Sequence, residues 1–341
     1  MSLRTGGRSR GPYTSFNLGV AVGDDAATVA AQRRDFAEAI GARPVWLGQV
    51  HGCHVLRLDR DTPGQPESPA DAAWTTEHGI ACTVQAADCM PVLFALPDGR
   101  AVAAAHAGWR GLAGGVLEST LQVLCAGTGA DPAELQVWLG PCIGPRQFEV
   151  DTDVVEAFDR AQYFVPRPRA DGSMRWLADL PGLARERLRA AGLTQITGGQ
   201  WCTVEDPSRF FSFRRDGLTG RMAAAVWMAP TQGQRGHDGD GQHHQERGSL
   251  RLVLRQPGDE YEPRNHEGAA ADAEHAADDA GGETEDGRGD QERHSSAVTI
   301  ATPIRNAPNR PFSSRSSRRA RRDAPASDPT TAPPASAAPS S

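Results

Sequence analysis

The chain has 341 residues, with 36 basic and 43 acidic side chains and a formal net charge of −7 at pH 7. This balance lacks the basic excess of a dedicated nucleic-acid binder, so no nucleic-acid partner is expected. No lysine occurs anywhere, which excludes Schiff-base, phosphate-loop and kinase-type lysines. Anion binding must therefore fall to arginine, backbone amides and helix N-termini.

Large apolar residues are concentrated in the first two thirds of the chain. All seven Trp and all six Cys precede residue 231, and only Tyr261 and Phe312 add aromatic rings beyond it. A segment so poor in apolar groups cannot offset the entropy of ordering. We therefore predict a folded domain over 1–230 and a disordered, low-complexity tail over 231–341. No apolar run has membrane-spanning length and no signal peptide is evident, so a cytoplasmic location with free thiols is expected.

The hydrophobic pattern predicts helices and strands along the domain in an order that does not alternate strictly. The predicted helices lie at about 25–40, 113–126, 151–161 and 181–191. The predicted strands lie at 45–50, 80–86, 92–96, 101–105, 135–139, 210–213 and 222–228, with a turn at Asp98-Gly99 between the third and fourth. This mixture indicates an α/β or α+β domain with a mixed sheet.

Three side chains that could bind a metal ion lie at the ends of apolar strands. His51, Cys89 and His106 each lie where a predicted strand meets a turn rich in glycine or polar residues. Strand ends are where α/β folds assemble their sites. Two imidazoles and one thiolate would give a three-ligand zinc site with an open fourth position, the arrangement of catalytic zinc. Copper also remains open, because it binds most such ligand sets more tightly.

The same residues permit other chemistry. Cys89 could instead be a thiolate nucleophile activated by His51 or His106, and spacing does not separate the two cases. Asp88 is a candidate for proton transfer or for support of the ligands, with turn capping as its plain alternative. Arg110, Arg214 and Arg215 lie in contexts that could bind phosphate, although surface ion pairs are an equal alternative.

Several segments together resemble one known family. They are residues 13–19, 46–52, 87–93, 106–111, 140–144 and 211–221, and their order and spacing match across nearly all of 5–228. The family is the bacterial purine nucleoside phosphorylase family of the "laccase domain" type, long labelled multicopper polyphenol oxidase and also linked to peptidoglycan editing. The run His-Ala-Gly-Trp-Arg-Gly at 106–111 is highly specific for it.

The resemblance implies a layered α/β sandwich with two central mixed sheets and outer helices. It implies zinc held by His51, Cys89 and His106. It also implies phosphorolysis of adenosine, inosine, guanosine and methylthioadenosine, with deamination of adenosine, so that the partners are purine nucleosides and phosphate. Expected substrate or phosphate contacts are Asn17, Arg33, Gln49, Arg214 and Arg215, and expected catalytic residues are Asp88 and Arg110.

The chain departs from the family pattern near its start. Ala21 stands where a histidine is common, and Gln32 precedes Arg33 where an asparagine is usual. The family's strand before Thr5 is not evident, which raises the alternative of a start further upstream. Two rival functions stay open: a hydrolase of cell-wall precursors and a copper-dependent phenol oxidase. The oxidase is disfavoured, because residues 1–230 contain only four histidines. No oligomeric state follows from the sequence.

Overall fold

The computed structural model describes residues 1–229, and the tail predicted over 231–341 lies outside the described residues. The described part contains these strands: β1 Arg43–Trp46, β2 Val55–Arg57, β3 Ala72–Thr75, β4 Ile80–Ala86, β5 Met90–Ala95, β6 Val102–Ala107, β7 Gln136–Leu139, β8 Glu149–Val150, β9 Phe164–Pro168, β10 Met174–Ala178, β11 Gln195–Gly198 and β12 Met222–Val226. Its α-helices are α1 Ala26–Ile40, α2 Trp109–Gly114, α3 Val116–Thr128, α4 Thr152–Phe158, α5 Leu180–Ala190 and α6 Phe213–Asp216.

The strands form three sheets. A six-stranded mixed sheet has the order β11-β7-β5-β6-β3-β2, and a three-stranded mixed sheet has the order β1-β4-β12. The mixed α/β class predicted from the sequence is confirmed. A small antiparallel sheet with the order β8-β10-β9 is additional to the two sheets that were expected.

The two mixed sheets pack face to face through a shared apolar core. Val84 and Val226 of the smaller sheet meet Leu93 and Ala104 of the larger one. The opposite face of the larger sheet is covered by α3 and α5, and α1 covers the smaller sheet through Phe36. Because both central sheets are buried on two faces, their strands have continuous apolar runs without alternation. β6, for example, is buried along its whole length.

Local sequence signals determined several of the elements. Asp25 caps α1 by accepting a hydrogen bond from the backbone N–H of Thr28 at 2.8 Å, and Gly41 ends the helix with φ 65°. The helix predicted over 113–126 is two helices, because Gly115 interrupts it with φ 96°. All six cysteines are free thiols, as expected.

The strand predicted over 210–213 was wrong. Phe210 and Phe211 are fully buried aromatic residues in an irregular segment, and Ser212 then caps α6 by accepting from the N–H of Arg215. The strand predicted over 222–228 ends earlier, at Val226, and Met228 makes only an isolated bridge to His78. No helix among residues 1–229 combines the length and the apolar character that a membrane span requires.

Helix α3 approaches β3 at Gly127, which lies beneath the ring of the buried Trp74. A Cβ atom at Gly127 would lie 2.1 Å from Cη2 of Trp74. Helix propensity alone favours alanine over glycine by about 1 kcal/mol. We nevertheless expect Gly127→Ala to lower the free energy of unfolding by about 1–3 kcal/mol, because the packed indole cannot move aside. Denaturant unfolding measures this change.

The exposed Gln122 on the same helix provides the control, since Gln122→Ala should change stability by less than about 0.5 kcal/mol. An increase in stability for Gly127→Ala would contradict the close packing of α3 on Trp74.

Candidate metal centre

Antiparallel pairing of β5 and β6 brings two of the candidate ligands together. Cys89 immediately precedes β5, and His106 lies near the end of β6, where it is paired with Pro91. Asp88 turns the chain from β4 into β5 with φ 96°. His51 reaches the same place from the loop after β1, where its φ is 62°. The three side chains therefore converge where the start of β5, the end of β6 and the loop after β1 meet.

The donor atoms of His51, Cys89 and His106 all lie within 4.8 Å of one another. Cys89 Sγ is 3.6 Å from His51 Nε2, and the two imidazole rings are 4.8 Å apart with an interplanar angle of 71°. Bonds of about 2.3 Å to sulfur and about 2.0–2.1 Å to nitrogen give a tetrahedral S···N edge of about 3.6 Å. The cluster therefore fits a tetrahedral metal ion that has three protein ligands.

Asp71, which is fully buried, holds two of the three ligands in place. Its carboxylate accepts the Nδ1–H of His106 at 2.8 Å, which directs Nε2 of that ring towards the other donors. The same carboxylate accepts backbone N–H groups from Val50, His51 and Gly52 at 3.1, 2.9 and 2.7 Å. No role for Asp71 was predicted from the sequence.

Glycines of the 106–111 run leave space for the ligands. A Cβ atom at Gly108 would lie 2.8 Å from His51 Cδ2 and 2.9 Å from Cys89 Sγ. A Cβ atom at Gly111 would lie 3.0 Å from the carbonyl oxygen of Gly52. The turn from β6 into α2 therefore passes directly behind His51 and Cys89, which explains why small residues follow His106.

The protonation states of Cys89 and His106 are coupled. Burial alone raises the pKa of the Cys89 thiol, but the positive charge and hydrogen bond of His106 outweigh it and bring the pKa to about 6. Burial alone lowers the pKa of His106, whereas the Cys89 thiolate and Asp71 raise it to about 9. Cys89 is therefore prepared as a thiolate, the form that binds metals.

Asp88 lies next to the cluster, but its carboxylate has partners within the protein. Oδ1 accepts from the Thr203 hydroxyl at 2.5 Å, and Oδ2 accepts from the backbone N–H of Arg214 at 2.6 Å. These bonds fix the turn before Cys89. Arg110, on α2, is exposed and stacks on Trp109 with its guanidinium carbon 4.3 Å from the ring centre. Catalytic roles for Asp88 and Arg110 remain predictions.

Of the predicted substrate-binding residues, Asn17 is wholly buried and organises its own loop. Its amide oxygen accepts from the N–H groups of Gly19 and Arg221, each at 2.8 Å. Gln49 bridges to the backbone of Gln85 in β4 through its amide nitrogen and oxygen. Arg33 is half-buried over Trp46, 4.0 Å from the ring centre.

Arg214 and Arg215 differ in how many of their guanidinium N–H groups remain free to bind a ligand. Arg214 is exposed, donates to the carbonyl of Glu149 at 2.7 Å and lies over Phe148. Arg215 uses its whole guanidinium fork inside the protein, on the carbonyls of Thr203, Val204 and Phe210 and on the carboxylate of Asp216. This favours a structural role for Arg215, and phosphate contact at either residue stays a prediction.

Comparison with known proteins places the chain in a family. The sequence model described as multi-copper polyphenol oxidoreductase laccase matches residues 1–229. A purine nucleoside phosphorylase of Pseudomonas aeruginosa is 46% identical over 233 residues, covering 67% of this chain and 92% of that protein. The purine nucleoside phosphorylase YfiH of Escherichia coli is 44% identical over 231 residues, with coverage of 67% and 92%.

Solved structures agree with this relationship. A Neisseria meningitidis protein has a TM-score of 0.61 at 42% identity and covers 67% of this chain and 92% of its own. YlmD of Geobacillus stearothermophilus has a TM-score of 0.62 at 34% identity, with coverage of 67% and 90%. The fold and the site define a protein of mixed α/β class with a cluster of three donors that could hold a metal ion. The chain belongs to the laccase-domain family that includes these purine nucleoside phosphorylases.

Replacing Asp71 by Asn tests its role in orienting the ligands. The amide nitrogen of Asn cannot accept the N–H groups that now point at the carboxylate, so we expect zinc affinity to fall about 10- to 100-fold. Competition with a chromogenic chelator measures this affinity. The exposed Asp61 offers the control, and Asp61→Asn should bind zinc as the unaltered chain does. Equal affinity in Asp71→Asn would remove the proposed orienting role.

The pKa of Cys89 gives a second prediction, for protein stripped of metal. Because a thiol is reactive above its pKa, alkylation of Cys89 by iodoacetamide should be half-maximal near pH 6. Burial and nearby acids raise the pKa of Cys125, so this thiol should react only at alkaline pH. Peptide mapping by mass spectrometry at a series of pH values separates the two. A shared alkaline midpoint would show that no thiolate–imidazolium pair forms.

Proposed function

We propose that this chain is a zinc-dependent purine nucleoside phosphorylase, with the active site at His51, Cys89 and His106 and the activity carried by residues 1–230. The observation that carries the proposal is the convergence of these three donors in a family whose relatives are named purine nucleoside phosphorylases. The proposed substrates are adenosine, inosine, guanosine and methylthioadenosine, each with phosphate. Adenosine deamination at the same site is part of the proposal, as is a cytoplasmic location.

The donor set supports zinc as the metal. Thiolate sulfur and imidazole nitrogen are both ligands found at catalytic zinc sites, although copper competes for the same donors. When bound, zinc would supply Lewis-acid assistance to an oxygen nucleophile. Asp71 holds the proton on Nδ1 of His106, so Nε2 is the nitrogen that would lose its proton and bind the metal.

The two proposed reactions share a need for a positioned oxygen nucleophile. In phosphorolysis, the bond between ribose C1′ and the base nitrogen breaks as C1′ bonds to a phosphate oxygen, and the base leaves with a proton. In deamination, water replaces the exocyclic amine, which leaves as ammonia. Holding the two reactants together at one site is the contribution that this scaffold can make without further catalytic groups.

The oxidase description of the family finds little support in the ligands. Among the described residues, only one group of three donors could hold a metal ion. Nδ1 of His54 is hydrogen-bonded to the carbonyl of Pro69, and Nδ1 of His78 to that of Ala229. Multicopper oxidation needs several coppers and many more histidines. Hydrolysis of cell-wall precursors remains the alternative that uses the same cluster.

His106→Ala and Cys89→Ala test the proposal. Each variant should lose zinc retention together with both phosphorolysis and deamination, because one site serves both reactions. Metal analysis of the purified protein, followed by chromatography of the products from adenosine with and without phosphate, measures these losses. Cys125→Ala removes a thiol in α3 and should leave zinc and both activities intact.

Three other outcomes would each contradict a part of the proposal. Loss of one activity alone would mean that two sites exist. Full activity in metal-free protein would favour Cys89 as a thiol nucleophile. Turnover of muropeptide precursors in place of nucleosides would favour the cell-wall alternative.

A further inference from the structure

Two half-buried arginines, Arg33 and Arg221, form no ion pair with a carboxylate among the described residues. Arg33 donates to the carbonyl of Leu18 at 2.9 Å and reaches only the neutral amides of Gln65 and Gln85. Arg221 donates to the carbonyls of Thr219 and Gly220, each at 3.1 Å. Burial lowers the pKa of both, to about 10 for Arg33. Burying an unpaired charge is costly unless a ligand compensates it.

One loop fixes both arginines. Arg33 donates to the carbonyl of Leu18, while the N–H of Leu18 donates to the carbonyl of Arg221 at 3.0 Å. Asn17 accepts the N–H of Arg221 at 2.8 Å. The loop then passes so close to Arg221 that a Cβ atom at Gly19 would lie 2.7 Å from its Cγ. The aliphatic part of Arg221 therefore packs against Gly19. Its guanidinium carbon lies 5.8 Å from the centre of the Phe213 ring.

The strand pairing places Arg221 close to the turn that carries Cys89. Arg221 directly precedes β12, whose first residue Met222 is paired with Ala86, and the chain continues from Ala86 to Cys89. Burial lowers the pKa of Arg221, and the negative charges of Cys89 and Asp88 oppose that shift. By comparison, the guanidinium N–H groups of Arg215 donate to backbone carbonyls and to Asp216.

We propose that Arg221 is the phosphate-binding cation of this site, with Arg33 as a second, more distant positive charge. Arginine suits this task, because its planar fork can donate two parallel hydrogen bonds to an oxyanion. Nη1 of Arg221 is used by local carbonyls, whereas Nε and Nη2 make no hydrogen bond within the described residues. The proposal rests on the proposed function, since phosphate is a substrate only in a phosphorylase.

The test compares variants of the zinc-loaded full chain by titration with inorganic phosphate in a calorimeter, at constant ionic strength. Arg221→Gln should weaken phosphate binding about 10- to 100-fold, the effect of losing hydrogen bonds from a charged donor. Zinc content and inosine binding should stay within about twofold of the original protein. Arg34→Gln removes an exposed charge beside Arg33 and should change nothing.

Arg221 also supports its own turn, so a second variant protects the test from a folding defect. Arg221→Lys keeps the charge but not the fork, and should bind phosphate at least about threefold more weakly while keeping its melting temperature in phosphate-free buffer. Unchanged phosphate affinity in both variants would overturn the proposal. Arg221-dependent phosphate binding in a protein that cleaves no nucleoside would instead support the anion site and contradict the proposed function.

Discussion

The Asp71 carboxylate is the interaction on which the candidate metal centre depends. It is fully buried and accepts hydrogen bonds from three consecutive backbone N–H groups, at Val50, His51 and Gly52, and from the ring of His106. Burial raises the pKa of a carboxyl group, but these donors outweigh it and lower the pKa of Asp71. A charge so far from water needs this number of donors. The same bonds therefore satisfy Asp71 and fix two ligands relative to each other.

Hydrogen bonds to buried carboxylates also stabilise strained backbone conformations at the metal centre. His51 and Asp88 both adopt positive φ values, which side chains other than glycine rarely adopt. His51 is held there by the donation of its N–H to Asp71, and Asp88 by the bonds of its carboxylate to Thr203 and Arg214. Such conformations persist where the surroundings over-determine them, and they are typical of functional sites. Ligand geometry is thus set by the hydrogen bonds that tie the loops carrying His51 and Asp88 to the residues packed around them.

The sequence could predict the parts of this arrangement that depend on local signals. Asp25 and Gly41 bound α1 correctly, and the strand-end positions of His51, Cys89 and His106 led to the cluster. Parts that depend on distant contacts were missed. β3 is a short, alanine-rich strand with little local preference, so the role of Asp71 before it could not be seen. Phe210 and Phe211 resemble a strand in composition, yet they pack as buried aromatics in an irregular segment because of what surrounds them.

The environments of the arginines show most clearly why an anion-binding residue can be identified only in the folded structure. The chain uses arginine for every basic side chain, and nothing local in the sequence distinguishes Arg215, saturated by carbonyls and Asp216, from Arg221, which has donors to spare. The difference comes from residues far along the chain, including Asn17 and Gly19. Electrostatic attraction strengthens as water is excluded, so a half-buried guanidinium attracts an anion more strongly than an exposed one such as Arg110. An anionic substrate should therefore favour the half-buried Arg221 over the exposed Arg110.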